Sequence, residues 1–413
     1  MPNHLTLPLE SETLKTIAHQ WGTPVYVYDE YTIRQRCRTL QGLFPDLPVR
    51  WLYAIKANDN PHIIKRIASE HMGFDTVSYE EVLLCRRLGV APQHIFYTEN
   101  NMTDDEMHRA VAEGVVLNIG SPGRLEEYCK AYPGSECCIR LKPDIGDGHH
   151  VKVDTGNRDS KFGIRMDLAA EMTALAGRSD VRIRGIHAHI GSGIQQPENL
   201  LHEINLLLQA ARGFPDLEYI NFGGGLPVPY KPNQEPFDLN AFARLASHRF
   251  SSFLQKHKHR LTFYFEPGRW IVAESGVLLT QVNTVKNQGK KTFLGTDTGF
   301  HHLLRPAFYD AYHEIRNITA TDQKANETYD IAGNICESGD ILGKNRLLPK
   351  TSSGDYLAIL TSGAYGMTMA SHYNRRSLPA EVLVCEDGTV KEIRPRKTPG
   401  QTVDEFLVET GFS

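Results

Sequence analysis

Short apolar segments alternate with longer amphipathic segments through the first two thirds of the chain. Apolar runs of about four to eight residues are typical of buried strands, and the intervening segments have the length and periodicity of helices. Eight such strands within about 220 residues predict a parallel (β/α)8 barrel of the TIM type, in the α/β class, although an open doubly wound sheet has the same rhythm. The predicted strands are Val49–Ile55, Gly73–Val77, Ile95–Thr98, Val115–Ile119, Cys137–Leu141, Ile183–His189, Tyr219–Phe222 and Leu261–Phe265.

The pattern changes after residue 275. Four further strand-like segments follow, and turn-rich stretches rather than regular helices separate them. We therefore predict a barrel over residues 25–275, which includes the alternating strand Val25–Tyr28, and a mostly antiparallel β domain built from residues 1–24 and 276–413. The strand-like segments of the second domain are Gly276–Val285, Lys291–Gly295, Tyr356–Leu360 and Glu381–Cys385.

Composition and charge narrow the class of protein. The 413 residues are too many for one ordinary core, which agrees with two domains. The 45 basic and 49 acidic residues give a net charge of −4 without a basic stripe, so we expect no nucleic-acid partner. We expect no membrane span and no signal peptide, because a long apolar run and a basic leader are both missing from the sequence. Seven cysteines without a repeating spacing indicate reduced thiols and a cytoplasmic location.

The apolar run that begins at Trp51 ends with a single lysine, Lys56. A buried ammonium group is costly, so a lysine at this place needs either a partner or a chemical role. One interpretation is a side chain that reaches solvent from the end of the strand. The other is an amine that forms a Schiff base with an aldehyde cofactor, which burial and nearby cations favour by lowering the pKa of the lysine.

Other polar residues follow the predicted strands at their carboxyl ends, where a barrel carries its chemistry. Asp75 is either a functional carboxylate or a helix cap, and Glu266 either serves a cofactor or forms a structural ion pair with Arg269. A histidine of the segment His187–His189 has a flat ring that suits stacking, and we expect at most one of the two to face the site. Gly223–Gly225 is either a simple loop or a backbone that donates N–H groups to a phosphate.

These residue types together predict a cofactor. A lysine amine, a glycine-rich phosphate cradle, a flat histidine ring and a carboxylate at one end of one barrel suit pyridoxal 5′-phosphate. The carboxylate can keep the ring nitrogen protonated, so that the ring accepts electrons. We expect no metal, because the adjacent His301 and His302 lack a third ligand at metal-site spacing.

Seven motifs in order resemble those of the fold-type III pyridoxal-phosphate decarboxylases, the family of alanine-racemase-like barrels. Each motif alone is a weak signal, but their order and spacing match over nearly the whole chain, from Gly22 to Arg376. The resemblance implies a homodimer with shared active sites, completed by the β domain. The motifs are Tyr53-Ala-Ile-Lys-Ala-Asn58, His189-Ile-Gly-Ser-Gly193, Gly223-Gly-Gly225, Glu266-Pro-Gly-Arg269, Arg305-Pro-Ala-Phe-Tyr309, Cys336-Glu-Ser-Gly-Asp340 and Gly363-Ala-Tyr-Gly366.

The resemblance also implies roles in cofactor binding. Lys56 would carry the Schiff base, His189 would stack on the pyridine ring, and Glu266 would pair with the ring nitrogen. The phosphate would be held by Ser192, Gly225, Tyr365 and the backbone around Glu266–Arg269. Besides Lys56, His189 and Glu266, the cofactor-binding residues would be Asp75, Ser192, Gly224, Gly225, Gly268, Arg269 and Tyr365.

Substrate binding and proton transfer are implied in the same way. Arg305 would bind a distal carboxylate of the substrate, a task that suits a planar two-pronged cation, whereas the alternative is a surface arginine at a turn. Cys336 would come from the second subunit and return a proton after carbon dioxide leaves, unless it is a buried apolar residue. Lys161 would pair with Asp340 across the dimer. The predicted catalytic residues are Lys56, His189 and Cys336, and the substrate-binding residues are Arg269, Arg305, Tyr309, Glu337 and Tyr365.

The implied reaction is the decarboxylation of meso-2,6-diaminopimelate to L-lysine and carbon dioxide, the last step of lysine biosynthesis. One alternative is a decarboxylase of another amino acid, either a D-amino acid or a modified one. A second alternative is a catalytically silent relative that binds the cofactor or partners only. The presence of both Lys56 and Cys336 argues against the silent relative, which needs neither.

Overall fold

The computed structural model describes residues 5–145, 160–256 and 261–412, so the first four residues of the predicted β domain lie outside the described residues. The strands are β1 (Val25–Asp29), β2 (Val49–Ala54), β3 (Gly73–Thr76), β4 (Ile95–Thr98), β5 (Val116–Ile119), β6 (Glu136–Lys142), β7 (Ile164–Arg165), β8 (Arg182–His187), β9 (Tyr219–Asn221), β10 (Thr262–Phe265), β11 (Gly276–Asn287), β12 (Thr292–Thr296), β13 (Ile315–Asn317), β14 (Glu327–Ala332), β15 (Ile341–Leu348), β16 (Tyr356–Ile359), β17 (Ala380–Val384) and β18 (Val390–Arg394). The helices are α1 (Ser11–Trp21), α2 (Glu30–Gln41), α3 (Pro61–Ser69), α4 (Tyr79–Arg87), α5 (Asp104–Glu113), α6 (Pro122–Ala131), α7 (Ala169–Arg178), α8 (Pro197–Ala210), α9 (Leu239–Lys256), α10 (Arg269–Val272), α11 (Arg305–Tyr309) and α12 (Pro399–Glu409).

The barrel unit consists of Arg34–Val228 and Pro236–Ile271. Its strands follow the order β2, β3, β4, β5, β6, β8, β9 and β10, and β10 pairs with β2, so the sheet closes on itself. Every pairing in this cycle is parallel. The predicted (β/α)8 barrel is therefore confirmed, the alternative of an open sheet is wrong, and each predicted strand is present to within two residues at either end.

Helix α9 illustrates how the helices cover the barrel. Its buried positions Phe242, Ala246 and Phe250 recur every four residues, which gives one apolar face. The Phe250 ring stacks on Phe263 of β10 with 4.2 Å between the ring centroids. Burial of one such phenylalanine contributes roughly 1.5–3 kcal/mol. In the described ranges, no helix combines the length and the apolar character needed to cross a lipid bilayer.

The β unit consists of the chain up to Ile33, Pro229–Glu235 and the chain from Val272 onward. Its sheet is mostly antiparallel, as predicted, and β1 lies between the antiparallel β11 and the parallel β17. Leu14 and Ile17 of α1 pack against this sheet in an apolar cluster. Strands β13, β14, β15 and β18 were not predicted, because charged residues interrupt or border their apolar positions.

The boundary predicted at residue 25 is wrong. β1 pairs with β11 and β17, so Val25–Asp29 belongs to the β unit and not to the barrel. The short segment Pro229–Glu235 also belongs to the β unit, although it lies within the sequence of the barrel. All five residues of β1 are buried, and burial on both faces does not indicate which sheet a strand will join.

Candidate active site

Lys56 and Asp75 form the first part of the candidate site. Lys56 lies in the turn Ile55–Ala57 that directly follows β2, and Asp75 is the third residue of the neighbouring β3. The Lys56 ammonium forms an ion pair with Asp75 Oδ2. Asp75 is 1% exposed, whereas the Lys56 side chain is 36% exposed, so the amine stays accessible. Ser78 caps helix α4, and Asp75 is therefore not a helix cap.

Glu266 forms the second part, directly after β10. Its Oε1 accepts a hydrogen bond from the Asn221 side chain at 2.7 Å, and its Oε2 lies 3.1 Å from Nε2 of His187. Both neighbours are buried and come from the adjoining strands β9 and β8. The two oxygens of Glu266 are thus held in a fixed orientation by groups of the barrel interior.

Burial controls the charges of this cluster. It raises the pKa of the Asp75 carboxyl, and the neighbouring Glu266 raises it further, whereas Lys56 lowers it. Burial also raises the pKa of Glu266, against the lowering effects of Lys56, the Asn221 side chain and the buried Arg140 of β6. Two carboxyl groups in one dry interior are tolerable because the two cations offset part of their mutual repulsion.

His187 is buried at the end of β8, and His189, two residues later, is partly buried. Burial lowers their pKa values well below the usual range, and the cation of Arg140 adds to this effect. Both rings are therefore neutral at physiological pH. His187 contacts Glu266, and Nδ1 of His189 accepts a hydrogen bond from the Gly224 N–H at 3.2 Å. The expectation that only one of them faces the site is wrong, because residues two apart in an extended chain point to the same side.

The glycines after β9 are required by close packing. A Cβ at Gly224 would lie 2.6 Å from the backbone oxygen of Glu266, and one at Gly223 would lie 2.5 Å from that of Ala188. Gly225 has a φ of +119°, a backbone conformation that other residues rarely adopt. This segment therefore brings bare backbone next to His189, as a phosphate cradle requires.

Arg269 begins helix α10 and is buried. Its Nη2 donates a hydrogen bond to the hydroxyl of Ser192 at 3.0 Å. A Cβ at Gly268 would lie 2.9 Å from the Cβ of Ala57, so this glycine allows the two loops after β2 and β10 to approach each other. The structure thus brings together, in the barrel unit, these residues predicted from the sequence: Lys56, Asp75, His189, Ser192, Gly224, Gly225, Glu266, Gly268 and Arg269.

The β unit holds the other predicted residues. Arg305 begins helix α11 and is only 1% exposed, so the alternative of a surface arginine at a turn is wrong. Tyr309 ends the same helix and is partly buried. Tyr365 has a φ of +55° and precedes Gly366, at which a Cβ would lie 2.6 Å from the backbone oxygen of Ser362. A tightly packed turn therefore fixes Tyr365.

Cys336 and Glu337 lie in an exposed segment of the β unit. Cys336 is exposed, whereas the other six cysteines are buried, so the alternative of an apolar core cysteine is wrong. The Asn374 side chain donates a hydrogen bond to Cys336 Sγ at 3.2 Å, and the Tyr373 hydroxyl donates one to Glu337 at 2.5 Å. Asp340 accepts hydrogen bonds from two backbone N–H groups, at Phe300 and Ile335, and the predicted pairing of Asp340 with Lys161 stays a prediction.

Two residues of the site were missed in the sequence, and a third was given no role. Asn221 and Arg140 are polar residues inside predicted apolar strands, and that departure from the pattern was the signal that could have identified them. His187 was noticed but given no role, although it contacts Glu266.

Pyridoxal 5′-phosphate fits the residues of the barrel unit. Asp75 Oδ1 and His187 Nδ1 are buried and have no hydrogen-bond partner among the described residues. Buried polar atoms are normally paired, so two such atoms in one interior indicate room for a polar group. An accessible amine, an oriented carboxylate and bare glycine backbone are the protein groups that this cofactor needs.

Comparison with known proteins gives the family. The family model of the pyridoxal-dependent decarboxylase, pyridoxal binding domain, matches residues 30–273. A diaminopimelate decarboxylase of Methanothermobacter thermautotrophicus is 40% identical over 391 residues, which cover 92% of this chain and 91% of that protein. The diaminopimelate decarboxylase of Escherichia coli K12 is 35% identical and covers 97% of this chain and 96% of its own length.

Solved structures agree with the sequence comparison. The structure of diaminopimelate decarboxylase from Helicobacter pylori complexed with L-lysine has a TM-score of 0.87 at 32% identity, and covers 96% of this chain and 100% of that chain. A lysine/ornithine decarboxylase from Vibrio vulnificus, at 23% identity and a TM-score of 0.79, shares the fold and covers 92% of this chain and 98% of its own. The chain therefore belongs to the diaminopimelate decarboxylases, within the pyridoxal-dependent decarboxylases.

Proposed function

We propose that this protein uses pyridoxal 5′-phosphate to decarboxylate meso-2,6-diaminopimelate, giving L-lysine and carbon dioxide. The observation that carries the proposal is the barrel cluster, in which an accessible Lys56 contacts Asp75 while Glu266 is held by His187 and Asn221. Relatives named diaminopimelate decarboxylase, and a related structure complexed with L-lysine, support this choice of substrate and product. A decarboxylase of another amino acid is the competing function.

When bound, pyridoxal 5′-phosphate supplies an electron sink for the loss of the carboxylate. Lys56 would bind its aldehyde group, and His189 would cover the face of its ring. Glu266 would accept a hydrogen bond from the protonated ring nitrogen, and its contacts with Asn221 and His187 would hold its two oxygens in place for that role. The phosphate would be bound by Ser192, Gly224, Gly225, Gly268, Arg269 and Tyr365.

The substrate would be bound through its second carboxylate. Arg305 is a buried cation, and a carboxylate meets a guanidinium through two parallel charge-assisted hydrogen bonds. Tyr309, Tyr365 and Arg269 would complete this binding. A distal amine, as in ornithine or lysine, would instead call for an acidic group, and Arg305 would repel it.

Proton return would come from a second subunit. Cys336 is the exposed thiol of the chain, and Glu337 beside it is exposed as well. We propose a homodimer in which each subunit provides these two residues to the site of the other, with Cys336 Sγ as the proton donor. The reduced thiols fit a cytoplasmic location.

The experiment is a substrate panel. The purified protein is mixed with pyridoxal 5′-phosphate and, in turn, with meso-diaminopimelate, L-lysine, L-ornithine and a set of D-amino acids. Carbon dioxide release and the amine product are then measured. We expect release from meso-diaminopimelate with L-lysine as the product.

Each other result has a definite meaning. Preference for a different amino acid would mean that this amino acid is the substrate, and that the reaction is still a decarboxylation. No release from any amino acid, with the cofactor bound, would favour the silent relative and contradict the proposal.

A further inference from the structure

Arg305 makes a close contact with a second buried residue of the β unit, His313. Nη1 of Arg305 lies 2.9 Å from Nε2 of His313, which is fully buried. The guanidinium carbon also lies 4.6 Å from the ring centroid of Tyr230. The Tyr230 and His313 rings meet edge to face, with centroids 5.2 Å apart. The guanidinium is therefore fixed both at one nitrogen and on one face.

The partners of His313 determine its tautomer. A guanidinium only donates hydrogen bonds, so Nε2 of His313 must accept and carries no proton. Nδ1 of His313 lies 2.9 Å from the backbone oxygen of Leu360, which only accepts, so Nδ1 carries the proton and donates it. His313 is thus a neutral imidazole in a hydrogen-bond relay, in which Nε2 accepts from Arg305 and Nδ1 donates to the Leu360 carbonyl.

The backbone next to His313 and to Leu360 leads directly into paired strands of the sheet. Ile315, two residues after His313, pairs with Ile359 where β13 and β16 run antiparallel. The N–H of Leu360 donates to the backbone oxygen of Glu314 at 2.8 Å. The carbonyl that orients His313 is therefore held by regular sheet pairing and not by a loose loop.

We propose that His313 is a positioning residue that sets the preference for substrates with a distal carboxylate. This inference rests on the proposed role of Arg305. One N–H of the guanidinium is committed to His313, so the planar fork cannot rotate, and its remaining donors keep one direction. A pre-oriented fork binds a carboxylate without first losing rotamer freedom, which improves affinity for that group alone.

Two variants separate the parts of this relay. His313→Gln places an amide oxygen near the position of Nε2, where it can accept from Arg305. His313→Asn is shorter and retains only the reach toward the Leu360 carbonyl. For His313→Asn we expect KM for meso-diaminopimelate to rise about five- to tenfold, with kcat nearly unchanged. The reason is that Arg305 is no longer pre-oriented and must lose rotamer freedom when the substrate binds. His313→Gln should restore most of the loss.

Inhibition constants add a measurement whose ratio between two inhibitors would not change if the variant had only a general packing defect. L-lysine retains one carboxylate after the reaction, whereas cadaverine has the same chain and two amines without a carboxylate. In His313→Asn the inhibition constant of L-lysine should rise by a similar factor, and that of cadaverine should not change. The absorbance of the bound cofactor should equal that of the wild type in both variants.

His302→Asn is the matched control. His302 is also buried in the β unit, and its ring contacts the Thr298 hydroxyl and the Ser377 backbone oxygen instead of Arg305. Its replacement should lower the melting temperature without changing the ratio of the two inhibition constants. A similar change in that ratio for the control would mean that buried histidines act through packing, and would overturn the inference.

The remaining outcomes are equally distinct. An unchanged KM in His313→Asn, with a raised KM in Arg305→Lys, would reject the role of His313 and leave that of Arg305. Loss of folding in both His313 variants, judged by circular dichroism, would make His313 a structural residue. A wild type that does not act on meso-diaminopimelate would contradict the proposed function itself.

Discussion

The interior of the barrel unit and the segment Cys336–Asp340 of the β unit both carry reactive groups, but in opposite environments. In the barrel, burial raises the pKa of both the Asp75 and the Glu266 carboxyl, Glu266 raises that of Asp75 further, and Lys56 lowers both. In the segment, Cys336 and Glu337 are exposed. The protein thus tunes one set of groups by removing water and leaves the other set open to the surface.

Exposure of the second region does not mean that it is loosely held. Asp340 is buried, and its carboxylate accepts hydrogen bonds from the N–H groups of Phe300 and Ile335 at 2.6 and 2.8 Å. A Cβ at Gly333 would lie 2.1 Å from Asp340 Oδ2, so the turn is packed closely around this carboxylate. An exposed thiol on a well-supported turn is suited to meeting another surface, which is the basis for the proposed shared sites.

The largest effect should come from the interior. Lys56→Ala removes the amine that binds the cofactor covalently, and we expect kcat/KM to fall at least ~1000-fold, because a positioned nucleophile is worth a large effective concentration. Borohydride reduction followed by mass spectrometry should place the cofactor on Lys56 in the wild type and on no residue in the variant. Lys130→Ala, at an exposed lysine that contacts Glu126 and Glu127, is the control and should retain full activity. An adduct on another lysine would contradict the proposed role of Lys56 in binding the cofactor.

The exposed segment should give the second effect. Cys336→Ala removes the proposed acid, and kcat should fall roughly 100-fold or more, the usual contribution of general acid catalysis. Mixing this variant with Lys56→Ala tests the sharing of sites, because a mixed dimer has one site with both residues intact. Random exchange should restore about one quarter of wild-type activity for a symmetric dimer. Without recovery after confirmed exchange, the sites would have to be built within one chain.

The contrast between the two regions also explains what the sequence could predict. The barrel strands were predicted because apolar runs such as Val49–Ile55 are typical of buried strands. Lys56 and Glu266 were found because they interrupt that apolar pattern at strand ends. The short strands β13 and β18 were missed, because half-exposed strands carry charges that resemble turns.

Contacts between distant residues could not be predicted in the same way. His313 owes its tautomer to Leu360, which is 47 residues away in the sequence. Arg140 affects Glu266 only because β6 and β10 belong to one closed barrel. A residue type indicates which chemistry is available, but the partner that sets its charge or direction is supplied by the fold.

Arg305 is a buried cation in the β unit, so it combines features of the two regions and should give an intermediate effect. Removing it leaves a substrate carboxylate without its partner, at a cost of about 2–5 kcal/mol if the site excludes water. About 1.4 kcal/mol is a factor of ten, so Arg305→Ala should lower kcat/KM for meso-diaminopimelate at least tens of fold.

Substrates without a distal carboxylate serve as the control for this prediction. Ornithine and lysine, when they react, carry no distal carboxylate, so their kcat/KM should not fall in Arg305→Ala. The cofactor spectrum should also stay the same, because Arg305 is assigned to the substrate and not to the phosphate. A variant that retains full activity on meso-diaminopimelate would contradict this assignment while leaving the fold and the cofactor in place.

The smallest effect is expected for Glu203, a glutamate that is buried like Glu266 but has no proposed role in catalysis. This carboxyl on α8 is buried in the barrel unit, and neither of its oxygens has a hydrogen-bond partner among the described residues. Burial raises its pKa well above the ordinary value, although Arg140 acts in the opposite direction. Unlike Glu266, it has no group in the described part of the chain that fixes its orientation, so we expect it to affect stability more than catalysis.

The sign of the pH dependence follows from the raised pKa of Glu203. Above the unfolded value of about 4.3, the unfolded chain loses this proton while the folded protein keeps it, so folding loses stability as pH rises through the raised pKa. Glu203→Gln removes that slope, whatever constant penalty the new amide adds. The melting temperature of the variant relative to wild type should therefore increase between pH 4 and pH 8, by roughly 2–4 °C for each kcal/mol relieved. A difference in melting temperature between Glu203→Gln and wild type that stays flat from pH 4 to pH 8 would contradict this expectation.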